Sequence, residues 1–142
     1  MKLALRKTAA SNATGLDRAA CQVIKARLVS QYCHGAIAVD GHLYQAAPSY
    51  GLHTLRPDEW SPEKWELFDV NANADTVLEL FNMYKGADYD WLSLLAFVGL
   101  RVRDASRFYC FEWCWLAMTG QTPTFRVTPE MLIALAYRNQ RT

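Results

Sequence analysis

Short runs that are either apolar or alternate between apolar and polar residues dominate the first half of the chain and predict β-strands. These runs occupy residues 2–6, 35–39, 42–47, 49–55 and 64–70. The second and third runs flank Asp40-Gly41, a dipeptide that favours a two-residue turn between antiparallel strands. We therefore expect a β-hairpin at this position.

Helical spacing of apolar residues appears once early in the chain, from Leu16 to Leu28, and then dominates the second half. The later helices are predicted at residues 77–84, 91–98, 109–118 and 129–137. Because strands come mostly first and helices later, the pattern predicts an α+β fold with an antiparallel sheet. No internal repeat or linker divides the chain, so residues 1–142 are expected to form a single domain.

The composition narrows the class of protein. The chain has 142 residues, 51% of them hydrophobic, and a formal net charge of +1. A charge so near zero argues against a nucleic-acid-binding protein. No apolar run is long enough to cross a bilayer, and the first residues lack the apolar stretch of a secretory signal. We therefore expect a protein without a transmembrane segment that is made in the cytoplasm.

The four cysteines are Cys21, Cys33, Cys110 and Cys114. Without a secretory signal, disulfides are not expected. No Cys-x-x-Cys pair is present, so a zinc site is weighed as an alternative and not expected. We expect neither a metal nor a cofactor, and we interpret Cys21 and Cys114 as small buried side chains.

One pairing of residue types indicates chemistry. Cys110 is predicted at a helix start, where orphan amides and the helix dipole favour a thiolate, and His34 at a strand edge can take its proton. The Asp40-Gly41 turn places Gln45 on the strand face that His34 occupies, where its amide oxygen could accept from the ring. The alternative is a buried thiol and a hydrogen-bonded core histidine.

Several neighbouring residues have two interpretations. Glu112 lies about 200° around the helix from Cys110, so it is expected to bind backbone amides or an arginine rather than the sulfur. Tyr89, His42 and His53 either line a substrate cleft or are a partly buried ring and two exposed imidazoles.

Two blocks of the sequence carry a family resemblance. The stretch "YCHGAIAVDGHLYQA" resembles the pattern "SH-x-E-apolar-apolar-apolar-DG-x-x-Y-x-x-S", and "FYCFEW" resembles an "F-C-S-E" block. The two patterns are typical of the circularly permuted papain-like cysteine hydrolases of the NlpC type, in the YiiX/YebB-like branch, and this chain resembles them. The resemblance runs from about residue 2 to 137 and is strongest to small bacteriophage-encoded members near tail genes.

The resemblance implies a fold and a set of site residues. The fold would be a small antiparallel sheet or half-barrel packed against helices that include the cysteine-bearing one. Cys110 falls on the nucleophile, His34 on the general base and Gln45 on the third polar position. The chain departs from the pattern at Phe111, where serine is usual, and at Ala36, where glutamate is frequent.

The resemblance also implies a function. We expect a cysteine-dependent hydrolase of amide or ester bonds, acting on peptidoglycan peptide as a phage tail-associated peptidase. One alternative is a lipid acyl hydrolase or transferase. The other is a non-enzymatic structural or docking protein of the tail tip, with other tail proteins as partners. Either way the protein would be made in the bacterial host cytoplasm and assembled into the virion tail.

Overall fold

A computed structural model of the protein describes residues 1–90 and 107–140, which fold around one open antiparallel sheet. The five strands lie in the spatial order β4-β3-β2-β1-β5. They are β1 (Lys2–Arg6), β2 (His34–Val39), β3 (His42–Ala47), β4 (Gly51–Leu55) and β5 (Glu66–Asp69). The helices are α1 (Gly15–Leu28), α2 (Ala74–Tyr84), α3 (Cys110–Thr119) and α4 (Pro129–Gln140), with one 3-10 turn at Pro62–Lys64.

This architecture confirms the predicted α+β class with an antiparallel sheet. The helix predicted at residues 91–98 lies outside the described residues. In the ranges 1–90 and 107–140, no helix has both the length and the apolar character needed to cross a membrane.

The β2–β3 hairpin turns at the predicted dipeptide. Val39 pairs with His42, so Asp40 and Gly41 alone form the turn. Both residues have positive φ, 47° and 80°, which is the backbone twist that a tight hairpin of this type requires. Asp and Gly tolerate this region better than other residues, so the local sequence determines the position of the turn.

The two faces of the sheet carry different side chains because neighbouring residues of a strand point to opposite sides. Leu3, Leu5, Ile37 and Val39 lie in the main core together with residues of the helices. The opposite face carries a smaller apolar cluster of Ala4, Ala36, Leu43 and Trp65. By this alternation, His34 shares the face of Ala36.

Helix α3 packs closely on β2, and a glycine makes that approach possible. A Cβ at Gly35 would lie 2.9 Å from Cδ1 of Phe111 and 3.2 Å from Cδ2 of Leu5. Phe111 is fully buried. The aromatic ring at the position where the resembling family has serine therefore fills the space above Gly35, and it sets the distance between α3 and β2.

A disulfide joins Cys21 of α1 to Cys33, the residue before β2. The prediction that disulfides are absent is therefore wrong. That prediction was based on the cellular compartment, whereas the packing of α1 beside the start of β2 brings the two Cα atoms to 4.8 Å. Cys110 and Cys114 are free and fully buried, which confirms the interpretation of Cys114.

Candidate active site

A chain of polar side chains crosses three neighbouring strands on one face of the sheet. His34 Nε2 lies 2.7 Å from Gln45 Oε1, and Gln45 Nε2 lies 3.1 Å from His53 Nε2. His53 Nδ1 lies 3.0 Å from the backbone oxygen of Gly51. Gln45 and His53 are direct partners in the β3–β4 register, so the pleat points their side chains the same way.

The direction of proton donation in this chain follows from its last member. The Gly51 carbonyl can only accept, so His53 Nδ1 carries a hydrogen, and His53 Nε2 accepts from the amide nitrogen of Gln45 that faces it. Gln45 then donates to His53 through its Nε2 and accepts from His34 through its Oε1. His34 therefore carries its hydrogen on Nε2, which leaves Nδ1 as the nitrogen able to take a proton.

Cys110 is the first residue of α3, as the sequence predicted for a helix start. The backbone N–H groups of Gly35 and Phe111 and the Tyr89 hydroxyl lie near its sulfur, where each favours the thiolate and so acts to lower the pKa of the thiol. Glu112 accepts from the backbone N–H of Tyr109 at 3.4 Å. This contact confirms the expectation that Glu112 binds a backbone amide near the helix start.

The two candidate catalytic groups are neutral in this structure. Burial raises the pKa of the Cys110 thiol to about 11, although the surrounding N–H and hydroxyl groups act in the opposite direction. Burial and the nearby Arg6 lower the pKa of His34 to about 3, although the hydrogen bond with Gln45 opposes the shift. At neutral pH the site therefore holds a thiol and an uncharged imidazole rather than an ion pair.

The structure joins two of the three sequence-derived residues. His34 and Gln45 are hydrogen-bonded on one face of the sheet, whereas Cys110 lies in the main core with α3, close to the backbone of Gly35, the residue that follows His34. Among the hydrogen bonds of residues 1–90 and 107–140, none joins the Cys110 thiol to the His34 ring. The Cys–His dyad therefore stays a prediction.

A cavity of about 620 Å³ opens beside this chain of polar groups. His34, Gln45, His53 and Tyr89 line it. Cys110 has no exposed surface and does not line the cavity. Tyr89 lies between the two groups, because it lines the cavity and its hydroxyl is close enough to Cys110 for the two to affect each other's pKa. Of the three residues considered as cleft wall, Tyr89 and His53 take that position.

Arg6 also lines the cavity, and the sequence reasoning did not identify it. It pairs directly with His34 across β1 and β2. The alternating pattern of β1 predicted which face of the strand Arg6 occupies. The sequence did not predict that β1 pairs with β2, because 27 residues separate the two strands and no short turn fixes their register.

In the described ranges, no group of three or more His, Cys, Asp and Glu side chains could hold a metal ion. Comparisons with protein-family models, with curated proteins and with solved structures found no match to this chain.

Proposed function

We propose that this protein is a cysteine-dependent hydrolase of amide or ester bonds, with Cys110 as nucleophile, His34 as base and Gln45 as the residue that orients the base. The observation that carries the proposal is the directed chain of hydrogen bonds from Gly51 to His34. It leaves Nδ1 of His34 as a proton acceptor beside the residue whose N–H contacts the Cys110 sulfur.

The reaction would begin from the neutral pair. His34 Nδ1 takes the thiol proton while the sulfur attacks the substrate carbonyl carbon. The protonated ring then gives that proton to the leaving amine or alcohol, and a thioester to Cys110 remains. Water attacks the thioester with His34 again accepting the proton, which passes to the departing sulfur. The products are a carboxylic acid and the restored thiol.

The oxyanion of the tetrahedral intermediate needs donors near the sulfur. The backbone N–H of Cys110 is one of the first amides of α3, which have no partner within the helix. The Tyr89 hydroxyl would supply the second donor after it leaves the sulfur and admits the acyl group. This assignment gives Tyr89 a role in both closing and completing the site.

The substrate and setting rest on the family resemblance. We propose a peptide of peptidoglycan as substrate and a phage tail as the place of action. The Cys21–Cys33 disulfide supports action outside the reducing cytoplasm in which the chain is made, because disulfides persist in oxidising compartments.

A second function, a docking module of the tail tip without catalysis, is favoured by one observation. Cys110 is fully buried and its pKa is raised, so the thiol is not poised for attack in this conformation. In that reading the chain His34–Gln45–His53 is a structural network that satisfies buried polar groups.

Hydrolysis by the purified protein distinguishes the two functions. Peptidoglycan fragments are incubated with the wild-type protein and with the Cys110→Ser, His34→Gln and Cys114→Ser variants, and new termini are followed by mass spectrometry. The enzyme hypothesis expects cleavage by the wild type and the Cys114→Ser control, and none by the other two. Folded but inactive wild-type protein on peptide and acyl-ester substrates alike would favour the docking module.

A further inference from the structure

Arg6 lines the cavity, and no carboxylate of residues 1–90 and 107–140 forms an ion pair with it. Its guanidinium carbon lies 4.7 Å from the centroid of the Trp65 ring, so the cation stacks on an aromatic face. Its Nε atom is buried and finds no hydrogen-bond partner among the residues that the structure describes. Burial lowers the pKa of Arg6, because desolvation disfavours the charged form.

The other two cations near β1 are paired. Lys2 lies 2.6 Å from a carboxylate oxygen of Asp69, and Lys7 lies 3.4 Å from one of Glu66. Within the described part of the chain, no carboxylate comes within ion-pair distance of Arg6. Arg6 is partly buried and its Nε is fully buried, so an anionic ligand in the cavity would supply the partner that this nitrogen lacks among the described residues.

Asp17 is the acidic residue of the same cavity that raises the pKa of Arg6, yet it is engaged elsewhere. Its Oδ2 accepts from the backbone and hydroxyl of Thr14, and its Oδ1 accepts from the Ser49 hydroxyl at 2.9 Å. Asp17 therefore caps α1 and fixes it to the β3–β4 turn. It influences Arg6 through space without forming a pair with it.

We propose that Arg6 binds a carboxylate group of the substrate. This proposal adds a substrate class to the proposed function, and it rests on that function for the location of the bond that is cleaved. The planar fork of a guanidinium matches a carboxylate. The negative charge of Asp17 opposes a dianionic phosphate more strongly than a single carboxylate. The cavity has the size of a small-molecule or peptide-side-chain site. Substrates are therefore acidic peptides or acyl compounds rather than neutral lipid esters.

Ligand titration by NMR tests this assignment without turnover. The ¹⁵N–¹H signal of Arg6 Nε, identified by its loss in Arg6→Lys, is followed with N-acetylalanine, with N-acetylalaninamide and with inorganic phosphate. We expect a saturable shift with N-acetylalanine only. In Arg6→Gln, the affinity for N-acetylalanine, read from the Trp65 indole signal, should fall on the order of tenfold. Lys64→Gln removes another cation of the cavity and should leave the affinity unchanged.

Each other result overturns the proposal. Equal shifts with the acid and the amide would show that the carboxylate is not recognised, and tighter binding of phosphate would assign the site to phosphorylated ligands. Unchanged affinity in both Arg6→Gln and Arg6→Lys would remove Arg6 from the site, and the Lys variant guards against misfolding of the Gln variant. The NMR titration does not require catalysis. Failure of the hydrolase proposal would therefore be seen separately, as absent cleavage in the hydrolysis assay.

Discussion

His34 Nε2 and Gln45 Oε1 lie 2.7 Å apart on adjacent strands, and the support of Gln45 by His53 fixes which of them donates. An amide side chain can present either its oxygen or its nitrogen to a neighbour. His53 removes that freedom, since its Nδ1 is committed to the Gly51 carbonyl. The state of the candidate base is thus set by a residue two strands away.

Replacing His53 should change the tautomer of His34. In the wild type, long-range ¹H–¹⁵N NMR of the imidazole should show His34 with its hydrogen on Nε2. In His53→Phe the Gln45 amide can turn, so we expect a mixture of the two His34 tautomers. His42→Phe is the matched control, because His42 lies on β3 and its ring bonds to the backbone oxygen of Asp40 rather than to Gln45. A pure Nε2 tautomer in His53→Phe would contradict the directed chain.

The lowered pKa of His34 should make the stability of the protein depend on pH. The unfolded chain binds a proton at His34 below its ordinary pKa of 6.5, whereas the folded protein does so only below about 3. The unfolding free energy should therefore fall as pH decreases from about 6.5 toward 3. Urea unfolding across this range should show a smaller decrease in His34→Gln. Parallel curves for the two proteins would mean that the folded protein does not hold His34 neutral.

Tyr89 should control access to the Cys110 thiol. In the wild type we expect slow alkylation by iodoacetamide, because the sulfur is buried and its pKa is raised to about 11. Tyr89→Ala removes a side chain that lines the cavity and lies close to the sulfur, and it should raise the rate at Cys110 on the order of tenfold. Peptide mass spectrometry reports both free thiols in one sample, with Cys114 as the internal control. An equal increase at Cys114 would indicate general loosening of the fold instead.

Reduction of the Cys21–Cys33 disulfide should destabilise the protein. The bond closes a loop over a sequence separation of 12 residues, so its loss should lower the unfolding free energy by about 2–3 kcal/mol. Denaturation with and without a reductant measures this difference. The Cys21→Ala/Cys33→Ala variant should match the reduced wild type and be insensitive to reductant. Sensitivity that persists in the double variant would place the effect elsewhere.

The sequence allowed the local features to be predicted well. The Asp40-Gly41 turn fixed the hairpin register, and that register placed His34 and Gln45 on one face. The helix start at Cys110 was evident from the pattern around it. These features depend on neighbours in sequence, whose backbone preferences act without the rest of the fold.

Features that depend on distant pairing could not be predicted. The role of His53 requires the β3–β4 register, and the position of Arg6 requires the pairing of β1 with β2. The complete burial of Cys110 also depends on how α3 packs on the sheet. The apolar pattern predicts that a helix has a buried face. It does not predict whether a cysteine on that helix will be exposed to the cavity.

The most direct measurement of the central claim is the mass of the Cys110 peptide during turnover. The wild-type protein is mixed with a peptidoglycan fragment, quenched in acid within the first turnovers, digested and analysed by mass spectrometry. We expect an acyl adduct on Cys110 that hydroxylamine releases, with Cys114 unmodified and no adduct in Cys110→Ser. If the wild type cleaves the fragment without forming an adduct, and Cys110→Ser cleaves it as well, the thioester mechanism is contradicted and Cys110 has no part in the reaction.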